Sequence, residues 1–128
     1  MRAPSVLVVD DNAMNAELAS FVLAEAGFTI AVAADAVEAQ DQIRRFAPDL
    51  ILMDIQLPGM DGLELSRLLK ADPATRAIKI VAFTSYAMKG DEAKMRAAGC
   101  DGYLAKPIDV ATFADTIRAH LGDSSSQP

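Results

Sequence analysis

The chain has 128 residues, 52% hydrophobic and 23% charged, a size and balance that suit one ordinary globular domain rather than a disordered segment or several domains. Its formal net charge of −6 leaves no basic face for a phosphate backbone, so nucleic acid is not expected as a direct ligand. No apolar run approaches the roughly 18 residues of a membrane span, the short run at 6–9 is cut off by two acids and is no signal peptide, and the single Cys100 cannot pair within the chain, which fits a reducing, cytoplasmic compartment.

Ser5 to Val9 is a short Val-rich run and predicts a buried strand. Asp10, Asp11 and Asn12 follow, and Asn12 or Asp11 can cap the next helix. That helix carries Met14, Leu18, Phe21, Val22 and Ala26 at helical spacing and stops at Gly27. Residues 28–34 predict a weaker, Ala-rich strand near an edge. Asp35 caps a second helix through about Phe46, with Val37, Ala39, Ile43 and Phe46 as its apolar set, and Pro48 ends it. Leu50 to Met53 is the third strand, buried on both faces, with Asp54 at its carboxyl end and a Pro- and Gly-containing loop, 55–62, behind it.

Asp61 opens the third helix with Glu64 three residues on, a capping-box-like spacing. Leu65, Leu68 and Leu69 form its inner stripe, and Asp72–Pro73 breaks it. Ile78 to Phe83 make the fourth strand, ending at Thr84 and Ser85. The fourth helix, about Met88 to Ala98, contains Gly90 and few large apolar residues, so it is expected to be marginal and mobile. Gly99 closes it, and residues 102–105 form a short fifth strand ending at Lys106–Pro107. Asp109 caps the last helix, where Phe113, Ile117 and Leu121 recur every fourth residue. The domain is placed at 1–122, with 123–128 as a disordered tail.

Strands alternating with helices imply a parallel sheet covered on both faces, an α/β doubly wound sandwich of five βα units. For the strand order 2-1-3-4-5 the ligand site lies at the carboxyl ends, between strands 1 and 3. Those two strands end in Asp10 with Asp11, and in Asp54. The other strand ends offer Thr84 and Lys106. Three crowded carboxylates repel one another, and a hard divalent cation bound by oxygen relieves this, which selects Mg²⁺. A carboxylate can then attack phosphorus, with the metal, a lysine and a hydroxyl neutralising the phosphoryl oxygens.

The stretches VLVVDDN (6–12), LILMDIQLPGMDG (50–62), VAFTSYA (81–87) and YLAKPI (103–108) resemble a two-component response-regulator receiver domain, a flavodoxin-like fold. The match runs along nearly the whole chain and leaves no room for an output domain. It is most similar to single-domain receivers of the DivK type. The resemblance implies that Asp54 is the phospho-acceptor and that Asp11 and Asp54 bind Mg²⁺ directly with the backbone carbonyl of Gln56, Asp10 acting through water. It implies that Lys106 pairs with Asp54 or the phosphoryl group, that Thr84 is the switch hydroxyl, and that the Tyr103 rotamer follows it. Gln56 and Tyr86 would tune dephosphorylation, and Lys106–Pro107 would be a cis peptide.

The expected function is that of a stand-alone receiver. A sensor histidine kinase or histidine phosphotransferase donates the phosphoryl group, and a downstream protein binds a face built from the fourth helix, fifth strand and fifth helix. Its only enzymatic chemistry would be phosphotransfer to itself and autodephosphorylation. A phosphohydrolase forming an aspartyl-phosphate needs a further acid two residues after the nucleophile, where Gln56 stands. A nucleotide or flavin binder on the same fold lacks its Gly-rich loop here. Taken singly, His120 reads as a surface residue near a helix end, Cys100 as buried and inert, and Met14, Met53, Met88 and Met95 as packing residues.

Overall fold

The computed structural model describes residues 4–84, 89–106 and 108–125. Among them, strands and helices alternate as β1 Ser5–Val9, α1 Ala13–Glu25, β2 Thr29–Ala33, α2 Ala36–Phe46, β3 Leu50–Asp54, α3 Gly62–Ala71, β4 Lys79–Thr84, α4 Lys89–Ala97, β5 Gly102–Ala105 and α5 Phe113–Ser125. The strands pair in parallel in the order β2-β1-β3-β4-β5. This is the doubly wound parallel sheet that the βα alternation predicts, in the flavodoxin-like strand order that the resemblance implies.

The continuous apolar runs fall in the middle of the sheet, where both faces are covered and every residue of β1 and β3 is buried. The pleat sorts alternate residues to opposite faces. Val6, Val8, Leu50, Leu52, Val81 and Phe83 pack with Ala19 and Leu23 of α1 and with Phe113 and Ile117 of α5. Leu7, Val9, Ile51, Met53, Ile80 and Ala82 pack with residues of α2 and α3 and with Met95 of α4. The weaker second strand lies at the edge, as its composition suggests.

Side-chain caps start the first three helices. Asn12 Oδ1 accepts from the Asn15 N–H at 3.1 Å, Asp35 Oδ1 from Glu38 at 2.8 Å, and Asp61 Oδ1 from Glu64 at 2.8 Å. Glu38 in turn accepts from the Ala34 N–H at 2.7 Å, one residue before the cap.

The inner faces differ from expectation in three helices. On α1, Met14 and Phe21 are 79% and 66% exposed and Leu18 is exposed too; the expected Val22 does face the sheet, joined by Ala16, Ala19 and Leu23. That helix is apolar all round, so periodicity cannot choose its inner face, and the small alanines let it lie close against the large strand side chains. Val37 of α2 and Leu68 of α3 are exposed for a related reason. Ala36 and Ala39 on α2, and Gly62 and Ser66 on α3, take the close contacts.

The last helix also departs at both ends. Asp109 caps a turn rather than the helix, accepting from the Ala111 N–H at 3.1 Å while its carbonyl accepts from Thr112 and Phe113. The helix then continues to Ser125, past position 122 where the domain was expected to end. Residues 126–128 lie outside the described residues, as do Ser85, Tyr86, Met88 and Pro107 with its expected cis bond.

Candidate functional site

One row of side chains continues off the carboxyl ends of the strands on the α1–α5 face. Val6 and Val8 lead to Asp10, Leu50 and Leu52 to Asp54, Val81 to Phe83, and Leu104 to Lys106. Register keeps the row level, since Asp54 is paired with Phe83. The polar members are thus placed by the same alternation that fills the core beneath them.

Asp10 and Asp54 are held alike. Each folds one carboxylate oxygen back onto the backbone N–H two residues on: Asn12 N–H to Asp10 Oδ1 at 2.9 Å, and Gln56 N–H to Asp54 Oδ1 at 3.0 Å. The second oxygen of each faces Lys106, whose Nζ lies 3.1 Å from Asp10 Oδ2 and 3.4 Å from Asp54 Oδ2. Asp10 Oδ2 is buried and accepts no hydrogen bond among the described residues; what faces it is the ammonium. Lys106 is itself carried on a loop tied to β4, its N–H donating to the Thr84 carbonyl at 2.8 Å.

Asp11 is exposed at the mouth of this pocket. One carboxylate oxygen from each of Asp10, Asp11 and Asp54 lies within 4.8 Å of the other two. Three hard oxygen donors that close together form the donor set of a Mg²⁺ or Ca²⁺ site. Two negative carboxylates share one ammonium here, so the pocket has charge left for a cation. Burial pushes the Asp54 carboxyl up from its ordinary 3.8 to about 6; the neighbouring Asp10 carboxylate pushes the same way, while the Gln56 N–H and Lys106 pull it down.

Thr84 is buried at the last position of β4, one residue beyond Phe83 and therefore on the opposite face. Tyr103 pairs with Ala82 and shares that face; it is 36% exposed on β5. The chain therefore brings Asp10, Asp11, Asp54 and Lys106 together, with Thr84 at the neighbouring strand end and Tyr103 beside it on the edge. Gln56 is exposed behind Asp54, and Tyr86 lies outside the described residues.

Two contributors were not singled out by sequence reasoning. Gly62 starts α3 against the back of Asp54, where a Cβ would sit inside the contact distance of the Asp54 carbonyl, and its N–H donates to the Ile55 carbonyl at 2.8 Å. The only signal was a glycine directly after the capping Asp61. Phe83 read simply as a strand residue, yet its ring centroid lies 5.0 Å from Lys106 Nζ. His120, expected at the surface, is half-buried with its ring over Gly102, where a Cβ would collide with it. Cys100 is buried beside Ser66, and burial pushes its thiol up, as befits an inert core residue.

Comparison with known proteins places the chain as a whole. The family model for the response regulator receiver domain matches residues 6–118. The polar-differentiation response regulator DivK of Brucella anthropi is 44% identical over 120 residues, covering 94% of this chain and 98% of the relative; that of Brucella ovis is as similar. Among solved structures, the chemotaxis response regulator CheY4 of Vibrio cholerae superposes with a TM-score of 0.86 at 26% identity, over 92% of this chain and 98% of that one. A CheY-like receiver domain protein from Methanospirillum hungatei gives 0.86 at 28% identity, over 98% and 99%. With the sheet order and the family match in agreement, the chain belongs to the response regulator receiver family and is a DivK-like signalling protein of the two-component type.

Proposed function

We infer that the protein accepts a phosphoryl group on Asp54 from a phosphohistidine of a partner protein, a sensor histidine kinase or a histidine phosphotransferase. The observation that carries this reading is the placement of the Asp54 carboxylate, 3.4 Å from the Lys106 ammonium and with Asp10 and Asp11 oxygens within 4.8 Å. A nucleophile, a fixed cation and a donor set for a second cation are what an in-line displacement at phosphorus requires.

Asp10, Asp11 and Asp54, with the Gln56 backbone carbonyl, would hold Mg²⁺, which when bound supplies positive charge to the phosphoryl oxygens. Asp54 Oδ attacks phosphorus, the bond from phosphorus to the donor imidazole nitrogen breaks, and the electron pair leaves with that nitrogen. The Lys106 ammonium moves from pairing with Asp54 to pairing with a phosphoryl oxygen. Thr84 then hydrogen-bonds the phosphoryl group, and Tyr103, on the same face of the sheet, turns inward. The α4–β5–α5 surface changes shape, and a downstream protein reads the change. Gln56, exposed next to Asp54, and Tyr86 would tune the lifetime of the phosphate.

Incubation with Mg²⁺ and acetyl phosphate, followed by intact-mass measurement, tests this directly. The expected result is one labile phosphate in the wild type and none in Asp54→Asn. Rapid turnover of assorted phosphomonoesters without accumulation of phosphorylated Asp54 would make the protein a phosphohydrolase. Flavin or nucleotide absorbance in the purified protein would make it a binder, and either result overturns the proposal.

A further inference from the structure

We propose that Phe83 is a positioning residue for Lys106: the face of its ring holds the ammonium over Asp10 and Asp54, where it meets the incoming phosphoryl group. The proposal rests on the reading of Asp54 as the acceptor. The observation behind it is a third neighbour of Lys106 Nζ. Besides Asp10 Oδ2 at 3.1 Å and Asp54 Oδ2 at 3.4 Å, the ammonium has the Phe83 ring centroid at 5.0 Å. A lysine head on a four-carbon stem has many rotamers. Here the side chain is only 12% exposed, so it cannot recover its lost hydration from bulk water. Two carboxylates satisfy part of the ammonium, and an aromatic face supplies negative potential to the rest.

The ring is suited to this because it does not move. Phe83 is 1% exposed, wedged among Val81, Ile117 and Phe113, and its ring packs at 6.3 Å and 31° against that of Phe113. Register places it beside Asp54 on the same face. The acceptor and the wall that holds its counter-cation are therefore cross-strand partners. An aliphatic residue of similar size would fill the same volume but leave the ammonium against an apolar surface, free to swing away from the carboxylates.

The test must separate the ring's electrostatics from its bulk. Phenylalanines carrying one, three and five fluorines, placed at position 83 by suppression, keep the shape while progressively draining the negative face. In the unphosphorylated, Mg²⁺-free protein, the Lys106 ε-methylene proton resonances should lie upfield in the wild type, under the ring current. They should relax towards ordinary lysine values across the series as the ammonium leaves the ring. The rate of phosphorylation by acetyl phosphate should fall in parallel, to about tenfold slower, the fold-change that a cation–π contact of ordinary strength is worth. Mg²⁺ affinity should not fall, because Phe83 carries no metal donor and a retreating ammonium leaves Asp10 and Asp54 more negative. Phe83→Leu should give the same slowing if it folds; the isosteric rings decide the matter if it does not. Resonances insensitive to fluorination, or a rate that holds while the resonances move, would overturn the positioning role. Failure of the wild type to accept phosphate at all would instead condemn the acceptor reading, and the resonance series would still report on the contact.

Discussion

At the scale of single residues, the site is two aspartates that the fold makes uncomfortable. Asp54 has its carboxyl raised to about 6 chiefly because it is buried. A group whose folded value lies above its unfolded value holds its proton more tightly when folded, so stability is greatest while it is protonated in both states. It is then lost as pH rises from about 4 to about 6, and the loss is complete above that. In the metal-free protein, Asp54→Asn should therefore melt higher than the wild type at pH 7.5, by up to about 3 kcal/mol of stability. The difference should shrink to nothing near pH 4. Thermal melts of the two proteins in EDTA across that range check it, and a difference independent of pH would show that burial does not strain this carboxylate.

The acids, the threonine and the lysine were legible from sequence because each stands at the end of an apolar run, and strand ends are where doubly wound sheets gather their ligands. Phe83 was not legible as anything but core, since a strand interior and a cation's wall call for the same kind of side chain.

At the scale of elements, strands were easier to read than helix faces. A strand buried on both sides announces itself as a run of Val, Ile and Leu, and the observed bounds of β1 and β3 lie within a residue of those expected. The inner face of α1 was not written in its periodicity, because alanine counts little in any apolar stripe yet is what a closely packed helix needs against bulky strands.

The junction of β3 and α3 shows the same economy of space. A methyl group on Gly62 would collide with the Asp54 carbonyl, and backbone there has nowhere to go. Gly62→Ala should cost about 2 kcal/mol by denaturant unfolding. It should also slow phosphorylation, by shifting the strand end that carries the acceptor. Stability and rate both at wild-type levels would mean that α3 can slide back without consequence. At the far end of α3, Lys70 Nζ donates to the Ile78 carbonyl at 2.8 Å and to Asp101 Oδ2 at 3.0 Å, and Asp101 in turn accepts the Ile80 N–H at 2.8 Å. This clamp ties the chain leaving α4 to the start of β4.

At the scale of the whole molecule, a cation held by the three clustered acids would be linked to folding. A cation that binds only the folded chain stabilises it by mass action, by about 3 kcal/mol when present at a hundredfold excess over its dissociation constant. Millimolar Mg²⁺ should therefore raise the melting temperature by several degrees. Asp11→Ala should abolish most of that rise while leaving the metal-free melt nearly unchanged, because Asp11 is exposed and supports no packing. Calorimetry with and without EDTA checks both. An unchanged wild-type melt would remove the metal from the mechanism.

The alternation along β4 has a further consequence. Phe83 and Thr84 are adjacent in the chain yet look out on different compartments of the protein, one housing the acceptor chemistry and the other leading to Tyr103 and the outer edge. If Asp54 accepts a phosphoryl group as proposed, a single peptide unit would separate the side that receives the charge from the side that announces it. Adding or deleting one amino acid there would then exchange the two faces and turn the proposed relay around.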